Sequence, residues 1–204
     1  MTNQQSEIVR KGYNKIAEIY DKQRKIYQSK GLLLRFLKYI PKNSFVLDLG
    51  CGAGTPVTKF LADNKCKVLG IDFSDGMLKL ARKNVKKAKF IKMDITKMKF
   101  KENSFDGAVS FYALIHVPRE QHESIYKNLH KIIKPDGIIM FNACGTLTWE
   151  ETARDYLGVP MHWSFYSPKI TLKMIKDVGF EILWSKVLKI GNEKQFWVLA
   201  KNKK

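Results

Sequence analysis

The sequence predicts an α/β fold in which helices cover both faces of a mostly parallel sheet. From Phe45 onward, short apolar runs alternate with amphipathic helices, which is the pattern of parallel βαβ units. A glycine-rich turn, Gly50 to Gly54, follows the first of these runs. The last two apolar runs flank Gly191-Asn192-Glu193 as the strands of a hairpin do. The sheet is therefore expected to be parallel except for one antiparallel strand at its end.

Residues 1–41 predict a helical cover that precedes the sheet. Apolar and aromatic residues recur at helical spacing in a first helix: Val9, Tyr13, Ile16, Ala17 and Tyr20. A second helix carries Leu33, Phe36, Leu37 and Ile40 and is expected to end at Pro41.

The remaining elements are expected within residues 42–204. The predicted strands are FVLDLG from Phe45, KVLGID from Lys67, AKFIKMD from Ala88, FDGAVSFY from Phe105, GIIMFNA from Gly137, EILWSKVLKI and KQFWVLA. The helices between them fall near 56–64, 75–86 and 119–133. Residues 134–137, Lys-Pro-Asp-Gly, predict a turn. A last helix is expected to begin with Ser167 as its N-cap and Pro168 in its first turn, and to end at Gly179.

The glycine-rich turn predicts a site for a nucleoside-containing ligand. The chain must reverse sharply between strand and helix, and a ligand must reach the backbone without meeting a side chain. Asp72, eighteen residues beyond Gly54, ends the next strand and would lie beside the turn in a parallel sheet. A carboxylate at that point can accept hydrogen bonds from both hydroxyls of a ribose.

The spacing of the turn favours one class of cofactor. Dinucleotide folds use G-x-G-x-x-G, whereas this chain has G-x-G-x-G with Asp48 two positions ahead of the first glycine. A carboxylate there would repel a pyrophosphate but suits a ligand with a cationic amino group. No Gly-Lys-Ser/Thr follows, which argues against a phosphate-binding P-loop. A glycine-rich turn that holds no ligand remains the structural alternative.

Four segments together resemble class I S-adenosylmethionine (SAM)-dependent methyltransferases: VLDLGCGAGTPVTKFLA, VLGIDFSDGMLKLAR, FIKMDITKMKFKENSFDGAVSFYALIHV and LHKIIKPDGIIMFNACG. The resemblance spans roughly residues 9–200 and is specific over 45–145. It implies a Rossmann-like seven-stranded sheet with the last strand antiparallel, one SAM-dependent methyltransferase domain over 1–204, and SAM as the cofactor, converted to S-adenosylhomocysteine (SAH).

The resemblance also implies roles for individual residues around SAM. Gly50, Cys51, Gly52 and Gly54 would form the cradle of the methionine part, with Asp48 close by and Asp72 on the ribose. Cys51 is expected to be a tolerated small residue rather than a nucleophile. The remaining predicted cofactor contacts are Phe73 and Met77 beside the adenine, Asp94 and the Ile95 amide on its edge, Phe111 near the sulfonium, and Tyr20, which with Tyr13 resembles the tyrosines that close over SAM.

The candidates for acid–base catalysis are His116 and His162. Methyl transfer from a sulfonium is an in-line displacement in which alignment carries much of the catalysis, and a base is needed only where the acceptor loses a proton. His116 follows the fourth strand at the carboxyl edge of the sheet, and His162 precedes the last helix. Packing or loop anchoring is the alternative role for each, whereas His122 and His130 lie in an amphipathic helix and are expected to be surface or packing residues.

Residues 145–167 predict a lid over the methyl acceptor, because a segment of this length is usually functional or carries a helix of its own. Ordinary packing of its aromatic side chains against the sheet edge is the alternative. The predicted substrate contacts are Tyr13, Tyr112, Trp149, Trp163 and Tyr166. Ser110-Phe111-Tyr112-Ala113 replaces the Asn/Asp-Pro-Pro-Tyr/Phe motif of enzymes that methylate planar amide or adenine nitrogens, which favours a small-molecule acceptor.

The composition argues against membrane, secreted, disulfide-rich and zinc-binding proteins. No apolar run approaches the length of a membrane span, the N-terminus lacks a signal-peptide core, and three cysteines, Cys51, Cys66 and Cys144, are too few for a disulfide framework or a zinc site. A cytoplasmic monomer or dimer without a metal is expected. The net charge of +18 leaves a nucleic-acid-modifying methyltransferase as an alternative, and a SAM-binding module without catalysis as a third.

Overall fold

The structure is a computed structural model that describes residues 4–23, 30–190 and 193–204. The helices are α1 (Gln4–Gln23), α2 (Lys30–Leu37), α3 (Val57–Asp63), α4 (Asp75–Asn84), α5 (His122–Ile132) and α6 (Pro168–Val178). The strands are β1 (Phe45–Leu49), β2 (Lys67–Asp72), β3 (Lys89–Lys92), β4 (Phe105–Ser110), β5 (Ile133–Cys144), β6 (Trp149–Tyr156), β7 (Val159–Phe165), β8 (Phe180–Ile190) and β9 (Glu193–Asn202).

Seven of these strands form one sheet in the order β3-β2-β1-β4-β5-β9-β8. Neighbours from β3 to β5 are parallel, whereas β9 runs antiparallel to both β5 and β8. The predicted Rossmann-like α/β class with an antiparallel last strand is confirmed. Ile190 pairs with Glu193, as the terminal hairpin requires. The other two predicted turn residues, Gly191 and Asn192, lie outside the described residues.

The two faces of the sheet are covered by different helices because alternate side chains of a strand point to opposite sides. Leu47 and Leu49 of β1 belong to an apolar cluster with α5 and α6. Val46 belongs to the opposite cluster, with α2 and α3. Parallel pairing brings the carboxyl ends of β1, β2, β3 and β4 to one edge, so the segments that follow these strands lie side by side.

The second helix of the cover ends earlier than the sequence predicts. Helix α1 begins at Gln4, and α2 ends at Leu37, so Ile40 lies beyond the helix. Ile40 is buried nonetheless, which explains its contribution to the apolar pattern. Helix α1 packs between β7 and α4, with the Val9 and Ile16 side chains against Val159 and Met161.

Most of residues 145–167, the segment predicted to be a lid, forms two strands rather than a loop or a helix. They form an antiparallel two-stranded sheet, β6 with β7, separate from the main sheet. The two strands are joined at Leu157 and Gly158, which both have positive φ, 56° and 84°. Buried Val159, Met161 and Phe165 alternate along β7 and anchor the hairpin.

Two smaller expectations are also corrected. Residues 134–137 do not separate a helix from a strand but form an irregularity inside β5, where β4 pairing shifts from Ile133 to Ile138. Asp136 adopts φ of 60° there, so the turn residues bend the strand instead of preceding it. Ser167 stands at the N-cap of α6, but its side chain makes no capping hydrogen bond. Gly179 ends α6 in the left-handed conformation, as predicted.

Candidate functional site

The glycine-rich turn joins β1 to α3 at the carboxyl edge of the sheet. The backbone amides of Gly50 and Cys51 donate to the carbonyl of Ile71, at 2.8 and 3.0 Å, which ties the turn to β2. Gly50 and Gly52 adopt φ of 66° and 53°, where a side chain is strained. A Cβ at Gly50 would also lie 2.2 Å from the Cβ of Ala113. Glycine is therefore required at Gly50 by both backbone conformation and space.

Asp72 holds the turn from the end of β2. One carboxylate oxygen accepts from the Gly52 amide and the other from the Ser74 amide, both at 2.9 Å. Desolvation nevertheless raises the pKa of Asp72 to about 6, although these amide bonds act in the opposite direction. The Asp72 carboxyl is thus fixed in position beside the turn. Its ionisation is unfavourable unless a further hydrogen-bond donor is supplied.

Asp48 lies at the carboxyl end of β1 and is 1% exposed. Its carboxyl accepts a hydrogen bond from the Thr58 hydroxyl of α3. Burial raises the pKa of Asp48 to about 7, and the neighbouring Asp72 charge adds to the effect. Two carboxyls with raised pKa values beside one turn create a site that favours donors and positive charge.

A first cavity, the glycine-turn cavity, opens between this turn and α1. It is lined by every predicted cofactor residue except Gly54: Tyr20, Asp48, Gly50, Cys51, Gly52, Asp72, Phe73, Met77, Asp94, Ile95 and Phe111. Gly54 lies behind the turn, where a Cβ would approach Val85 and Ala81 of the α4 region. Its position is therefore explained by close packing rather than by access to the cavity. Burial raises the pKa of the Cys51 thiol, which disfavours a thiolate nucleophile.

Asp94 reaches the same cavity from the end of β3. One of its oxygens accepts from both the amide and the hydroxyl of Thr96, each at 2.8 Å, and caps the short 3₁₀ turn Ile95–Lys97. This cap holds the carboxyl and the Ile95 backbone at the cavity wall. On the facing side, the Phe111 ring is fixed by Trp197, with ring centroids 4.6 Å apart.

A second cavity, the hairpin cavity, adjoins the first beneath β6 and β7. Its lining includes the aromatic side chains Trp149, Tyr156, Trp163 and Phe165 together with Glu151, Glu193, Lys194 and Gln195. The two cavities share four residues: Tyr13, Tyr20, Tyr112 and His116. A ligand group in one cavity would therefore face the other across these four side chains.

His116 stands at this junction and is held from both sides of its ring. Nε2 lies 2.8 Å from the Tyr13 hydroxyl, and Nδ1 lies 2.7 Å from the carbonyl oxygen of His162. The ring also packs near Tyr13 and Trp163, with centroid distances of 5.3 and 5.6 Å. Helix α1 and the β6–β7 hairpin thus converge on one imidazole.

Besides Gly54, two predicted residues, His162 and Tyr166, are not brought to either cavity. The His162 ring is buried behind the hairpin, 2.8 Å from the Thr152 hydroxyl and 3.3 Å from the Glu150 carboxylate, and burial lowers its pKa. Its backbone carbonyl, not its ring, faces the site. Tyr166 packs its ring against His122 at a centroid distance of 6.2 Å. Alternation along β7 turns the His162 side chain away from the face that carries Trp163.

Other contacts of the site are made by residues that the sequence did not single out. Asn14 of α1 accepts from the Ser74 hydroxyl at 2.8 Å and from the Gly76 amide at 2.9 Å. Asn142, fully buried on β5, accepts from the Tyr112 amide and donates to Gln195. A polar residue on the apolar face of a helix could have indicated Asn14. A polar residue within an apolar strand could have indicated Asn142.

Fold and site together define a Rossmann-like domain with a site for a nucleoside ligand that carries positive charge. SAM has ribose hydroxyls, an adenine and a cationic sulfonium and amino group. Asp72, Asp48, Asp94 and the glycine cradle match the donors and the charge of that molecule.

Comparisons with known proteins agree with this class. Residues 46–137 match the protein family described as methyltransferase domain. Sterol 24-C-methyltransferase of Candida albicans is 29% identical over 164 residues, 72% of this chain and 42% of the relative. The chain thus spans less than half the length of the curated relatives it matches. This chain is therefore similar to SAM-dependent methyltransferases, in sequence over residues 46–137 and in fold.

Two solved structures share the fold. A SAM-dependent methyltransferase of Methanosarcina mazei has a TM-score of 0.72 at 20% identity, covering 83% of this chain and 97% of that one. A Burkholderia thailandensis 1,6-didemethyltoxoflavin-N1-methyltransferase, solved with its substrate and SAH, has a TM-score of 0.74 at 15% identity, covering 98% and 87%.

Two further observations concern the described residues. None of their helices is long and apolar enough to cross a membrane. No group of three or more His, Cys, Asp and Glu side chains within the described ranges could hold a metal ion.

Proposed function

We propose that this chain binds SAM in the glycine-turn cavity and transfers its methyl group by in-line displacement to a small molecule in the hairpin cavity. The observation that carries the proposal is the contact between the two cavities at Tyr13, Tyr20, Tyr112 and His116. Donor and acceptor held on opposite sides of this junction would meet in a defined orientation, and alignment supplies much of the rate in such a reaction.

The glycine-turn cavity would hold the cofactor as the family resemblance implies. The backbone of Gly50 and Gly52 gives room for the methionine part, and Asp72 would bind the ribose hydroxyls. Phe73 and Met77 would flank the adenine, whose amine would donate to Asp94 while the Ile95 amide binds the ring. Phe111 would lie near the sulfonium, and Tyr20 would close the cavity from α1.

Asp48 and Asp72 support a cationic ligand on electrostatic grounds. Each carboxyl is destabilised in its ionised form by burial. A ligand that brings an amino cation or hydroxyl donors would compensate this desolvation and draw both groups into the ionised state. The same carboxylates would disfavour a nucleotide phosphate.

The hairpin cavity supports an organic acceptor of modest size. Trp149 and Trp163 of the hairpin and Tyr13 and Tyr112 of the junction provide flat apolar walls that exclude water from the transferred methyl group. Binding an acceptor there would make the hairpin the lid of the site. The aromatic character favours an acceptor with an aromatic or extended apolar part.

The cofactor half of the proposal is tested by calorimetric titration with SAM, SAH and NAD. We expect SAM and SAH to bind and NAD to bind far more weakly. Asp72→Asn should weaken SAH binding by about ten- to a hundredfold, since a hydrogen bond to a charged group contributes about 1.5–3 kcal/mol. The matched control is Asp63→Asn, an exposed carboxyl of α3. Tighter binding of NAD than of SAH would overturn the proposal.

The transfer half is tested with SAM labelled in its methyl group. Incubation with metabolite extract and, separately, with RNA should give a labelled small molecule. SAH binding with no labelled product from either source would instead favour a SAM-binding module without catalysis.

A second candidate, an RNA-modifying methyltransferase, is favoured by the net charge of +18. Such an enzyme would bind RNA with an affinity that falls steeply with salt concentration, because each phosphate contact releases counterions. Transfer of the labelled methyl group to RNA at physiological salt would overturn the small-molecule proposal in favour of this candidate.

We further propose that residues 1–204 act as one methyltransferase domain, with 1–41 as its cover, and that the protein is cytoplasmic. The free cysteines Cys51 and Cys66 support a reducing compartment. Cell fractionation tests the location, and sedimentation distinguishes a monomer from a dimer.

A further inference from the structure

We propose that Tyr13 and His116 form a proton relay: the acceptor gives its proton to the Tyr13 hydroxyl as that hydroxyl gives its own proton to Nε2 of His116. This inference rests on the proposed methyl transfer and deepens it. It assigns the acceptor to a class whose methylated atom carries a proton, such as a hydroxyl, a phenol or an N–H group.

The direction of the hydrogen bonds follows from the partner of Nδ1. The carbonyl oxygen of His162, 2.7 Å away, can only accept, so Nδ1 must carry a hydrogen. In a neutral imidazole Nε2 then carries no hydrogen and can only accept. The Tyr13 hydroxyl, 2.8 Å from Nε2, is therefore the donor of that hydrogen bond. The fold itself selects the tautomer in which Nε2 is the basic atom.

The hydroxyl of Tyr13 is the group through which an acceptor reaches this base. The Nε2 lone pair already faces Tyr13, and the imidazole is only 8% exposed. Tyr13 itself lines both the glycine-turn cavity and the hairpin cavity. Because Tyr13 lines both cavities, an acceptor in the hairpin cavity can donate a hydrogen bond to its hydroxyl oxygen while the acceptor's own lone pair faces the methyl group.

The position of the relay is fixed by two separate elements. Tyr13 is on α1, where its ring packs edge-on against Tyr20 at 5.1 Å. His116 ends the short 3₁₀ turn Leu114–His116 after β4, and the hairpin supplies the His162 carbonyl. Because neither contact lies on the same element as His116, the ring is held at both nitrogens without relying on local backbone.

Methyl transfer and proton transfer occur together in the relay. A lone pair of the acceptor atom forms the bond to the methyl carbon, and the carbon–sulfur bond breaks, leaving a neutral thioether. The acceptor proton passes to the Tyr13 oxygen, and the Tyr13 proton passes to Nε2, which gives an imidazolium with Nδ1–H still bound to the carbonyl. Solvent removes the proton after product release. The charged side chains that line the hairpin cavity are Glu151, Glu193 and Lys194.

The first test compares two kinds of probe with labelled SAM. Catechol, phenol and aniline carry a proton on the accepting atom, whereas trimethylamine and dimethyl sulfide do not. We expect methylation within the first group only. Tyr13→Phe should lower kcat for the methylated probe by about 10²–10⁴-fold, the usual contribution of a positioned proton acceptor, while KM and SAH affinity change by less than about threefold.

The control is Tyr126→Phe, which removes the hydroxyl of a buried tyrosine outside both cavities and should leave kcat unchanged. Methylation of trimethylamine or dimethyl sulfide alone would overturn the relay while leaving methyl transfer intact. A Tyr13→Phe enzyme with a kcat within about threefold of the wild type would do the same. Failure to bind SAH would instead overturn the proposed function.

A second measurement does not depend on turnover. In the SAH-bound protein, ¹⁵N NMR of the four imidazoles, with His116→Gln for assignment, should report Nδ1–H and an unprotonated, hydrogen-bonded Nε2 for His116. Tyr13→Phe should shift the Nε2 resonance, and Tyr126→Phe should not. A His116 tautomer with the hydrogen on Nε2 would overturn the relay, since that nitrogen could then accept no proton.

Discussion

Asp48 and Asp72 are carboxyls whose native environment favours their neutral form. Both are buried at the carboxyl edge of the sheet, and their pKa values are raised to about 7 and about 6. A native pKa above the unfolded value means that the native state binds more protons between the two values. The contribution of each group to stability is therefore present below about pH 4 and is lost as the pH rises through the native pKa.

Asp48→Asn should for this reason stabilise the ligand-free protein at pH 8. The amide keeps an acceptor for the Thr58 hydroxyl but carries no buried charge. We expect a gain on the order of 2 kcal/mol in the free energy of unfolding at pH 8 and little change at pH 4. Chemical denaturation of the wild type and of Asp48→Asn between pH 4 and pH 8 measures the difference between their free energies of unfolding. In this difference the contributions of other carboxyls cancel, including those with a lowered pKa such as Asp106. A destabilised variant at pH 8 would contradict the prediction.

Binding of SAH should show the reverse pH dependence. The cationic amino group and the ribose hydroxyls bind the ionised carboxylates, so affinity should rise with pH and fall by up to about tenfold per unit below the Asp48 pKa of about 7. Isothermal titration between pH 5 and 8 measures this slope. In Asp48→Asn the slope should be smaller and the affinity lower at pH 8. An affinity independent of pH in the wild type would argue against either carboxylate contacting the ligand.

The residues around the turn could be predicted from the sequence because they follow strand ends locally. Parallel pairing then brings Asp48, Asp72 and Asp94 to one edge without further information. The sequence could not distinguish Gly54, whose φ of 78° and close packing on Val85 serve the turn from behind. Nor could it find Asn14, whose partners Ser74 and Gly76 lie about sixty residues away along the chain.

At the scale of elements, α1 is held by close backbone contact on two sides. A Cβ at Gly12 would lie 3.0 Å from Met161 of β7, and a Cβ at Gly76 of α4 would lie 3.0 Å from the Asn14 carbonyl. These small residues allow α1 to approach the hairpin and α4 closely enough for Tyr13 and Tyr20 to reach both cavities. The absence of a side chain at Gly12 of α1 and at Gly76 of α4 thus sets how closely α1 packs.

Gly76→Ala should destabilise the protein, although alanine is the better helix residue. In an open helical position the change gains up to about 1 kcal/mol. Here the added methyl group would press on the Asn14 backbone and strain the hydrogen bond from the Gly76 amide. We expect a lower free energy of unfolding and weaker SAH binding, since α1 covers the cavity.

The matched variant is Gly31→Ala in α2, where a Cβ would meet nothing within 4 Å. It should be neutral or stabilising and leave SAH affinity unchanged. Equal gains in stability at both glycines, measured by urea denaturation, would contradict the role given to Gly76.

The β6–β7 hairpin is the element that the sequence prediction missed. The alternation of Val159, Met161 and Phe165 with more polar residues is a strand signal, and Gly158 marks the turn. The exposed, charged β6 carries no matching apolar alternation, so only pairing with β7 makes it a strand. Central strands such as β1 and β4 were predictable because each carries a buried apolar run of its own.

At the scale of the whole molecule, the charge is strongly unbalanced. The chain has 37 lysine and arginine residues against 19 aspartate and glutamate residues. Ion pairs such as Lys59–Asp63 and Lys173–Asp177 use part of the acidic set, so the excess positive charge is spread over the surface without compensation. Exposed pairs contribute little, about 0–1 kcal/mol each, whereas self-repulsion of a high net charge acts across the whole folded state.

Salt should therefore stabilise the protein: Tm should rise as NaCl increases from about 10 to about 300 mM, because screening shortens the range of the repulsion below the size of the molecule. Lys86→Gln should raise Tm at low salt, because no salt bridge to Lys86 is found among the described residues and its charge adds to the positive excess. Lys59→Gln removes the same charge together with its 2.7 Å contact to Asp63 and should gain less. Both differences should shrink at high salt. A Tm that falls with salt would mean that the paired charges, not the excess, dominate the electrostatic free energy of folding.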